Sequence, residues 1–95
     1  MRQTTQNVNN AFANDKAFKS GHDQVVINEN SIDLLYRGNL IAYKTKGKLF
    51  ITTCGYKTNT TKDRLNGIEG VLIKQKDGVW FLNGIEWNGS LIEIK

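Results

Sequence analysis

The fold is decided by the stretch IDLLYRGNLIAYKTKGKLFITT, residues 32–53, in which three apolar runs are joined by two short polar connections. The connections are Gly38-Asn39 and Lys46-Gly47, and Gly and Asn tolerate the positive φ values that tight hairpin turns require. Alternate residues of each run share one face of a strand. We therefore predict a three-stranded antiparallel meander within a β segment that spans residues 24–54.

The C-terminal quarter, residues 71–95, has the same pattern of short apolar runs joined by two-residue connections. The pairs Asp77-Gly78, Asn83-Gly84 and Asn88-Gly89 are the dipeptides that type I′ hairpin turns favour. Only three residues separate the last two pairs, which predicts a very short strand or a bulged corner. We expect this segment to form C-terminal hairpins.

The N-terminal segment, residues 1–20, is weakly helical. Val8 and Phe12 fall at helix spacing, and a turn is expected around Asn14 and Asp15. Because Asn lowers helix propensity, an irregular arm is the alternative.

A second, short helix is predicted over residues 60–68. Thr60 to Asp63 resembles a capping box with Asp in the place of Glu, and Gly67 or Gly70 ends the helix. Helices and hairpins in this order predict an α+β fold: one small domain, residues 1–95, built on a mostly antiparallel sheet with an N-terminal helix and a short central helix.

Length and composition exclude several classes of protein. Ninety-five residues make one domain, and the N-terminus carries no apolar run that would act as a signal peptide or membrane span. One cysteine, Cys54, cannot form an internal disulfide, so a reducing cytoplasm is expected.

Catalytic and cofactor signatures are missing from the sequence. Neither Cys54 nor His22 is flanked by a catalytic signature. We expect Cys54 to be a small apolar residue at the end of a strand, and His22 to be an exposed loop residue. The sequence holds no spaced set of metal ligands and no phosphate-binding glycine loop, so we expect neither an enzyme nor a bound cofactor or metal.

Positive charge is concentrated in the middle of the chain. The net charge is +4, yet Asp and Glu are absent between positions 34 and 62. Basic side chains interleaved with aromatic rings are typical of surfaces that attract phosphates and stack bases. We therefore predict a surface that binds DNA or RNA. Its candidate residues are Arg37, Tyr43, Lys44, Lys46, Lys48, Tyr56, Lys57, Lys62 and Arg64.

Two other interpretations of the basic segment stay open. Lysines near hairpin tips also keep sheet edges soluble, so the surface could be merely solvated. A protein that inhibits a host or anti-phage defence protein would present a similar surface to its partner. For Trp80 and Trp87, core positions are favoured over exposure at a binding surface.

The sequence also resembles a group of small accessory proteins of tailed bacteriophages. The resemblance covers residues 32–90 and lies in Gly38-Asn39, an aromatic and threonine-rich loop with Tyr56 and Thr58, the motif TTKDRLN at 60–66, and WFLNG at 80–84. The excess of Asn, Lys and Ile over Pro agrees with an AT-rich genome. The resemblance implies a phage origin and action in the cytoplasm of an infected bacterium, and it implies no particular activity.

Overall fold

The computed structural model describes residues 3–55 and 57–94, and it is organised around two antiparallel sheets. The larger sheet has six strands in the order β1-β2-β3-β4-β5-β9, and the smaller has three in the order β6-β7-β8. The strands are β1 (Phe18–Ser20), β2 (Asp23–Ile27), β3 (Ile32–Tyr36), β4 (Asn39–Thr45), β5 (Lys48–Ile51), β6 (Ile73–Lys76), β7 (Val79–Leu82), β8 (Ile85–Glu86) and β9 (Ile92–Ile94). The helices are α1 (Gln3–Ala13) and α2 (Asn59–Asn66). The predicted α+β class is confirmed.

The predicted meander is confirmed as β3, β4 and β5, with one turn displaced by a residue. Tyr36 pairs with Asn39, so the first turn consists of Arg37 and Gly38 and not of Gly38 and Asn39. Arg37 and Gly38 have φ values of 53° and 77°, as a type I′ turn requires. Because of this displacement, Asn39 is the first residue of β4 and not a turn residue.

A bulge interrupts the pairing of β3 with β4. Leu34 pairs with Ala42 and Leu35 pairs with Leu40, which leaves Ile41 as an extra residue. Consecutive residues of a regular strand point to opposite faces, but Ile41 and Ala42 are both buried.

The N-terminal helix is shorter than the segment from which it was predicted. Helix α1 ends at Ala13, and Asp15 has a φ of 56°, which no helix residue adopts. Phe18–Ser20 then pairs with β2 as an edge strand. The expected turn at Asn14 and Asp15 is confirmed, whereas the last part of residues 1–20 is strand, because pairing with β2 satisfies its backbone hydrogen bonds.

The central helix begins one residue earlier and ends two residues earlier than predicted, and its N-cap lies two residues before the expected one. Thr58, and not Thr60, is the N-cap, and its side chain accepts a hydrogen bond from the backbone N–H of Thr61. Consequently Asp63 lies beyond the first turn and does not form the capping box that the sequence suggested. Gly67 caps the C-terminus with a right-handed φ of −80°.

The C-terminal hairpins are confirmed in part. Turns Asp77-Gly78 and Asn83-Gly84 have positive φ at both residues, and β8 is the very short strand that the spacing predicted. Asn88-Gly89 is not a hairpin turn, which corrects the prediction. The backbone there crosses to the larger sheet, because the Gly89 carbonyl accepts hydrogen bonds from Thr53 N and Thr52 Oγ1, and β9 then pairs with β5.

One hydrophobic core joins both sheets and both helices. It includes Val8 of α1, Leu34 and Ile51 of the larger sheet, Leu65 of α2 and Trp80 of the smaller sheet. Trp87 is buried as well, so both tryptophans occupy core positions as predicted. Helix α2 contacts α1, β4 and β6, and it therefore connects the two sheets at the end where the β3–β4 turn lies. Neither described helix is long and apolar enough to cross a membrane.

Candidate nucleic-acid interface

A cavity of about 450 Å³ lies between the β3–β4 turn and the first turn of α2. A volume of this size is typical of pockets that hold small molecules or parts of larger ones. The wall combines one aromatic ring, one guanidinium, one amide and four threonines around an aliphatic residue. The lining residues are Tyr36, Arg37, Asn39, Ile41, Thr53, Thr58, Thr60 and Thr61.

The threonines of the α2 N-terminus form one hydrogen-bonded group in the cavity wall. Thr58 Oγ1 lies 3.1 Å from Thr60 Oγ1, donates to Thr61 Oγ1 at 3.1 Å, and accepts from Thr61 N at 3.2 Å. Separately, Thr53 Oγ1 donates to the Gly89 carbonyl at 3.2 Å. These hydroxyls fix the shape of the cavity, because each already has a partner within the protein.

Tyr36 connects the cavity to two arginines. The Arg64 guanidinium lies 4.4 Å and the Arg37 guanidinium 5.6 Å from the centroid of the Tyr36 ring. A hydrogen bond with Thr60, aided by the two positive charges, lowers the pKa of the Tyr36 hydroxyl despite burial. The surroundings of Tyr36 therefore favour the ionised form of its own hydroxyl.

Arg64, which the sequence assigned to an exposed basic face, is buried. Its Nε donates to Asp23 Oδ1 at 2.8 Å and its Nη2 donates to Asp23 Oδ2 at 3.1 Å. The hydrogen bond with Asp23 raises the pKa of Arg64. This bidentate pair attaches α2 to β2. Arg64 therefore has a structural role, and the Asp23 carboxylate neutralises its charge.

Lys57 and Lys62 lie on either side of the α2 N-terminus. Their ammonium groups are 5.4 Å and 5.8 Å from the centroid of the Trp80 ring. Lys62 also donates to Gln75 Oε1 at 3.4 Å. Within residues 3–55 and 57–94, no ion pair joins Lys57, Lys62 or Arg37 to a carboxylate. We call these three residues the basic rim of the cavity.

The other predicted lysines lie at the opposite end of the larger sheet. Lys46 belongs to the β4–β5 turn and Lys48 begins β5, whereas Arg37 belongs to the β3–β4 turn. Since β4 has seven residues, about 20 Å of strand separates the two turns. The sequence grouped these cations on one face, but an antiparallel meander brings alternate turns to opposite ends.

Lys44 is occupied by contacts with the N-terminal segment. Its ammonium group pairs with Asp15 at 2.5 Å, donates to the Phe12 carbonyl at 2.5 Å, and lies 4.6 Å from the Phe12 ring centroid. Lys44 therefore holds the end of α1 against β4, and its charge is neutralised.

The remaining candidate residues fall in three different places. Tyr43 stacks on Phe50 of β5, with ring centroids 4.9 Å apart. Tyr56 lies outside the described residues. Cys54, expected as a small apolar residue at a strand end, is exposed and has a φ of 54°, because the chain turns there after β5. His22 is exposed, as predicted.

A comparison with known protein families identifies the origin of the chain. The family model described as Kyanoviridae Gp96 protein matches residues 1–93. The chain belongs to the Kyanoviridae Gp96 family. This is a family of cyanophage proteins, so the resemblance to small phage proteins is confirmed.

The Gp96 family match gives an origin and no activity. No curated protein and no solved structure matches the chain. What this Gp96 family member binds therefore has to be argued from its own residues.

Among the described lining residues of this Gp96 family chain, only Arg37 was chosen as a candidate from sequence, and Tyr36 and Asn39 are among those missed. Tyr36 and Asn39 form the pair that closes the β3–β4 turn. Tyr36 was not among the candidate residues, and Asn39 was assigned to the turn. The signal that could have found them is their position on either side of a turn that faces a threonine-rich loop.

Proposed function

We propose that this phage protein binds nucleic acid through the basic rim and the cavity that the rim surrounds, and that it does so without catalysing a reaction. The observation that carries the proposal is that three cations, none of them paired with a carboxylate in the described structure, either line one cavity or adjoin its lining residues in the chain. Arg37 lines the cavity itself, Lys57 precedes the lining residue Thr58, and Lys62 follows the lining residue Thr61.

The location of the charges supports phosphates as the ligands of the rim. Lys57 and Lys62 share the Trp80 ring as a common contact, so both ammonium groups lie beside the same side chain. Together with the Arg37 guanidinium, these cations can attract the phosphates of a nucleic-acid backbone. With Thr58 as the N-cap, the first turn of α2 contains no acidic residue.

The test is a titration of labelled DNA and RNA at several salt concentrations, followed by fluorescence anisotropy. We expect binding that weakens with salt, because phosphate contacts release counterions. The double variant Lys57→Gln/Lys62→Gln should weaken binding and lower the slope of log K against log salt by about 2, which is one unit for each phosphate that the variant no longer neutralises.

The matched control is Lys46→Gln/Lys48→Gln, which removes the same charge from the opposite end of the sheet. We expect this variant to bind nearly as well as the wild type. Equal weakening in the two double variants would mean that only net charge matters, and this would contradict the assignment of the site to the rim. Absence of binding at low salt would overturn the proposal.

A protein partner is the second candidate, in which case the protein inhibits a host or anti-phage defence protein. It is favoured by β9, an edge strand that begins at Ile92. Ile92 and the preceding Leu91 are 40% and 55% exposed. An unpaired edge with apolar side chains can accept a further strand from another protein. This function predicts a complex captured from host lysate that survives nuclease treatment and is lost in Ile92→Asp.

Both proposed functions place the protein inside the infected cell. A nucleic-acid ligand or a host defence protein is met in the bacterial cytoplasm, and we propose that compartment as the site of action. Fractionation of infected cells with an antibody to the protein tests this, and recovery only in assembled virions would contradict it.

A further inference from the structure

The cavity inside the basic rim has groups that suit a nucleobase better than a phosphate. Thr58, Thr60 and Thr61 are bonded to one another, and Thr53 is bonded to Gly89. A phosphate, which can only accept hydrogen bonds, would find free donors at Arg37 and Asn39, but it would leave the acceptor oxygen of the Asn39 amide without a partner.

Asn39 supplies the hydrogen-bond donors and the acceptor that can pair with the edge of a base. Its side chain is half-buried in the cavity wall, and no hydrogen bond to it occurs within the described structure. An amide presents donors and an acceptor side by side, and Asn pairs with the edge of a base through both. Arg37, which lines the same wall, belongs to the exposed turn at the cavity mouth.

Two apolar or aromatic side chains, both almost fully buried, form part of the cavity wall. Ile41 is 1% exposed and Tyr36 is 8% exposed, and both line the cavity. Burying a base against aliphatic and aromatic atoms is favourable, whereas burying a phosphate there would cost its hydration. The bulge in β4 leaves Ile41 buried, and Ile41 lines the cavity.

We propose that the cavity takes a single unstacked base of a single-stranded nucleic acid, with Asn39 pairing to its edge and the rim holding the flanking phosphates outside. This rests on the proposed nucleic-acid function and narrows it to single strands. In a duplex, each base is stacked and paired, so it cannot enter a cavity without the cost of extrusion.

The experiment compares a single strand with the duplex of the same sequence, using the full chain and the variants Asn39→Ala and Asn30→Ala. Asn30 is an exposed turn residue at the opposite end of the sheet and serves as the matched control. We expect the wild type to favour the single strand. Asn39→Ala should weaken binding of the single strand about tenfold, as expected when a bidentate pairing with a base is removed, with duplex affinity unchanged.

Three other outcomes are separable. If Asn39→Ala binds single strands as the wild type does, or weakens both forms equally, the base pocket is overturned. The rim proposal then still stands, provided that Lys57→Gln/Lys62→Gln weakens binding. If no nucleic acid binds the wild type, both proposals are overturned.

An NMR titration of the wild type keeps the proposal testable even if Asn39→Ala fails to fold. Addition of the single strand should shift the Asn39 side-chain amide and the Ile41 methyl signals, whereas the duplex should leave them in place. Shifts confined to lysine signals would overturn the base pocket.

Discussion

Arg64 was predicted from sequence to contribute to a binding surface, but in the structure it is buried. It lies in a basic segment, but its guanidinium reaches Asp23 on β2 and is only 6% exposed, while the Asp23 side chain is 4% exposed. Removing one member of a buried pair leaves the other charge without compensation. We predict that Arg64→Met lowers the free energy of unfolding by about 3–5 kcal/mol, measured by urea denaturation.

The comparison for this prediction is the exposed pair of Lys44 with Asp15. These side chains are 28% and 60% exposed, and a pair in contact with water contributes about 1 kcal/mol or less. Lys44→Met should therefore cost far less than Arg64→Met. A similar cost for both variants would contradict the structural role of Arg64.

Tyr36 carries a pH-dependent prediction. Its pKa is lowered by the hydrogen bond with Thr60 and by nearby arginines, so its phenolate should appear below the usual pKa of about 10. An absorbance titration of the wild type against Tyr36→Phe measures this. A lowered pKa means that the fold favours the ionised form, and the resulting stability is present above the unfolded pKa and lost as pH falls through the folded pKa.

It follows that the wild type should gain free energy of unfolding relative to Tyr36→Phe as the pH rises toward 10. Urea denaturation at a series of alkaline pH values measures the difference. A constant difference across that range would show that the environment of Tyr36 does not favour the phenolate.

At the scale of elements, the pairs Asn83-Gly84 and Asn88-Gly89 have different structural roles. Gly84 and Gly89 have nearly equal φ values of 87° and 91°. A Cβ at position 84 would meet no atom within 4 Å, but a Cβ at position 89 would lie 2.5 Å from Thr53 Oγ1. The first glycine is needed for a turn, and the second for close approach of two segments.

We predict that Gly84→Ala costs about 1–2 kcal/mol, the strain of a left-handed residue with a side chain. Gly89→Ala should cost distinctly more, because the clash with Thr53 is added to the same strain. Thermal denaturation of the two variants isolates the steric contribution, since the backbone conformations match. Equal costs would mean that the Thr53 side chain relaxes freely.

Sequence patterns predicted these elements to different degrees. The turns at Lys46-Gly47, Asp77-Gly78 and Asn83-Gly84 follow from local backbone preference, and they were predicted correctly. The cap at Thr58 was missed because Thr58 and Thr60 have the same local chemistry. What selects Thr58 is the position of α2 against the sheet, where Arg64 meets Asp23, and this is a tertiary contact.

At the scale of the whole molecule, the two sheets share one core and should unfold together. Leu34 and Ile51 of the larger sheet belong to the same buried cluster as Leu65 of α2 and Trp80 of the smaller sheet. We predict coincident denaturation curves by tryptophan fluorescence, which reports the smaller sheet, and by far-ultraviolet circular dichroism, which reports all elements. An earlier fluorescence transition would indicate that the smaller sheet opens alone.

The distribution of charge also belongs to this scale. A run of basic residues in sequence became two groups at opposite ends of the sheet, and two of its members are neutralised by Asp15 and Asp23. What remains at the α2 end is the basic rim, and its cavity is assembled from residues 36–41, 53 and 58–61. No continuous stretch of sequence contains that cavity.

The sequence by itself determined the α+β class, the meander, most turns and the burial of both tryptophans. Backbone preference and the alternation of apolar residues act over a few positions, so they can be recognised locally. The tertiary structure alone decided that β9 pairs with β5, that Arg64 is buried and that Asn39 faces a cavity. Each of these depends on contacts between segments far apart in the chain, whose geometry is fixed only when the whole core packs.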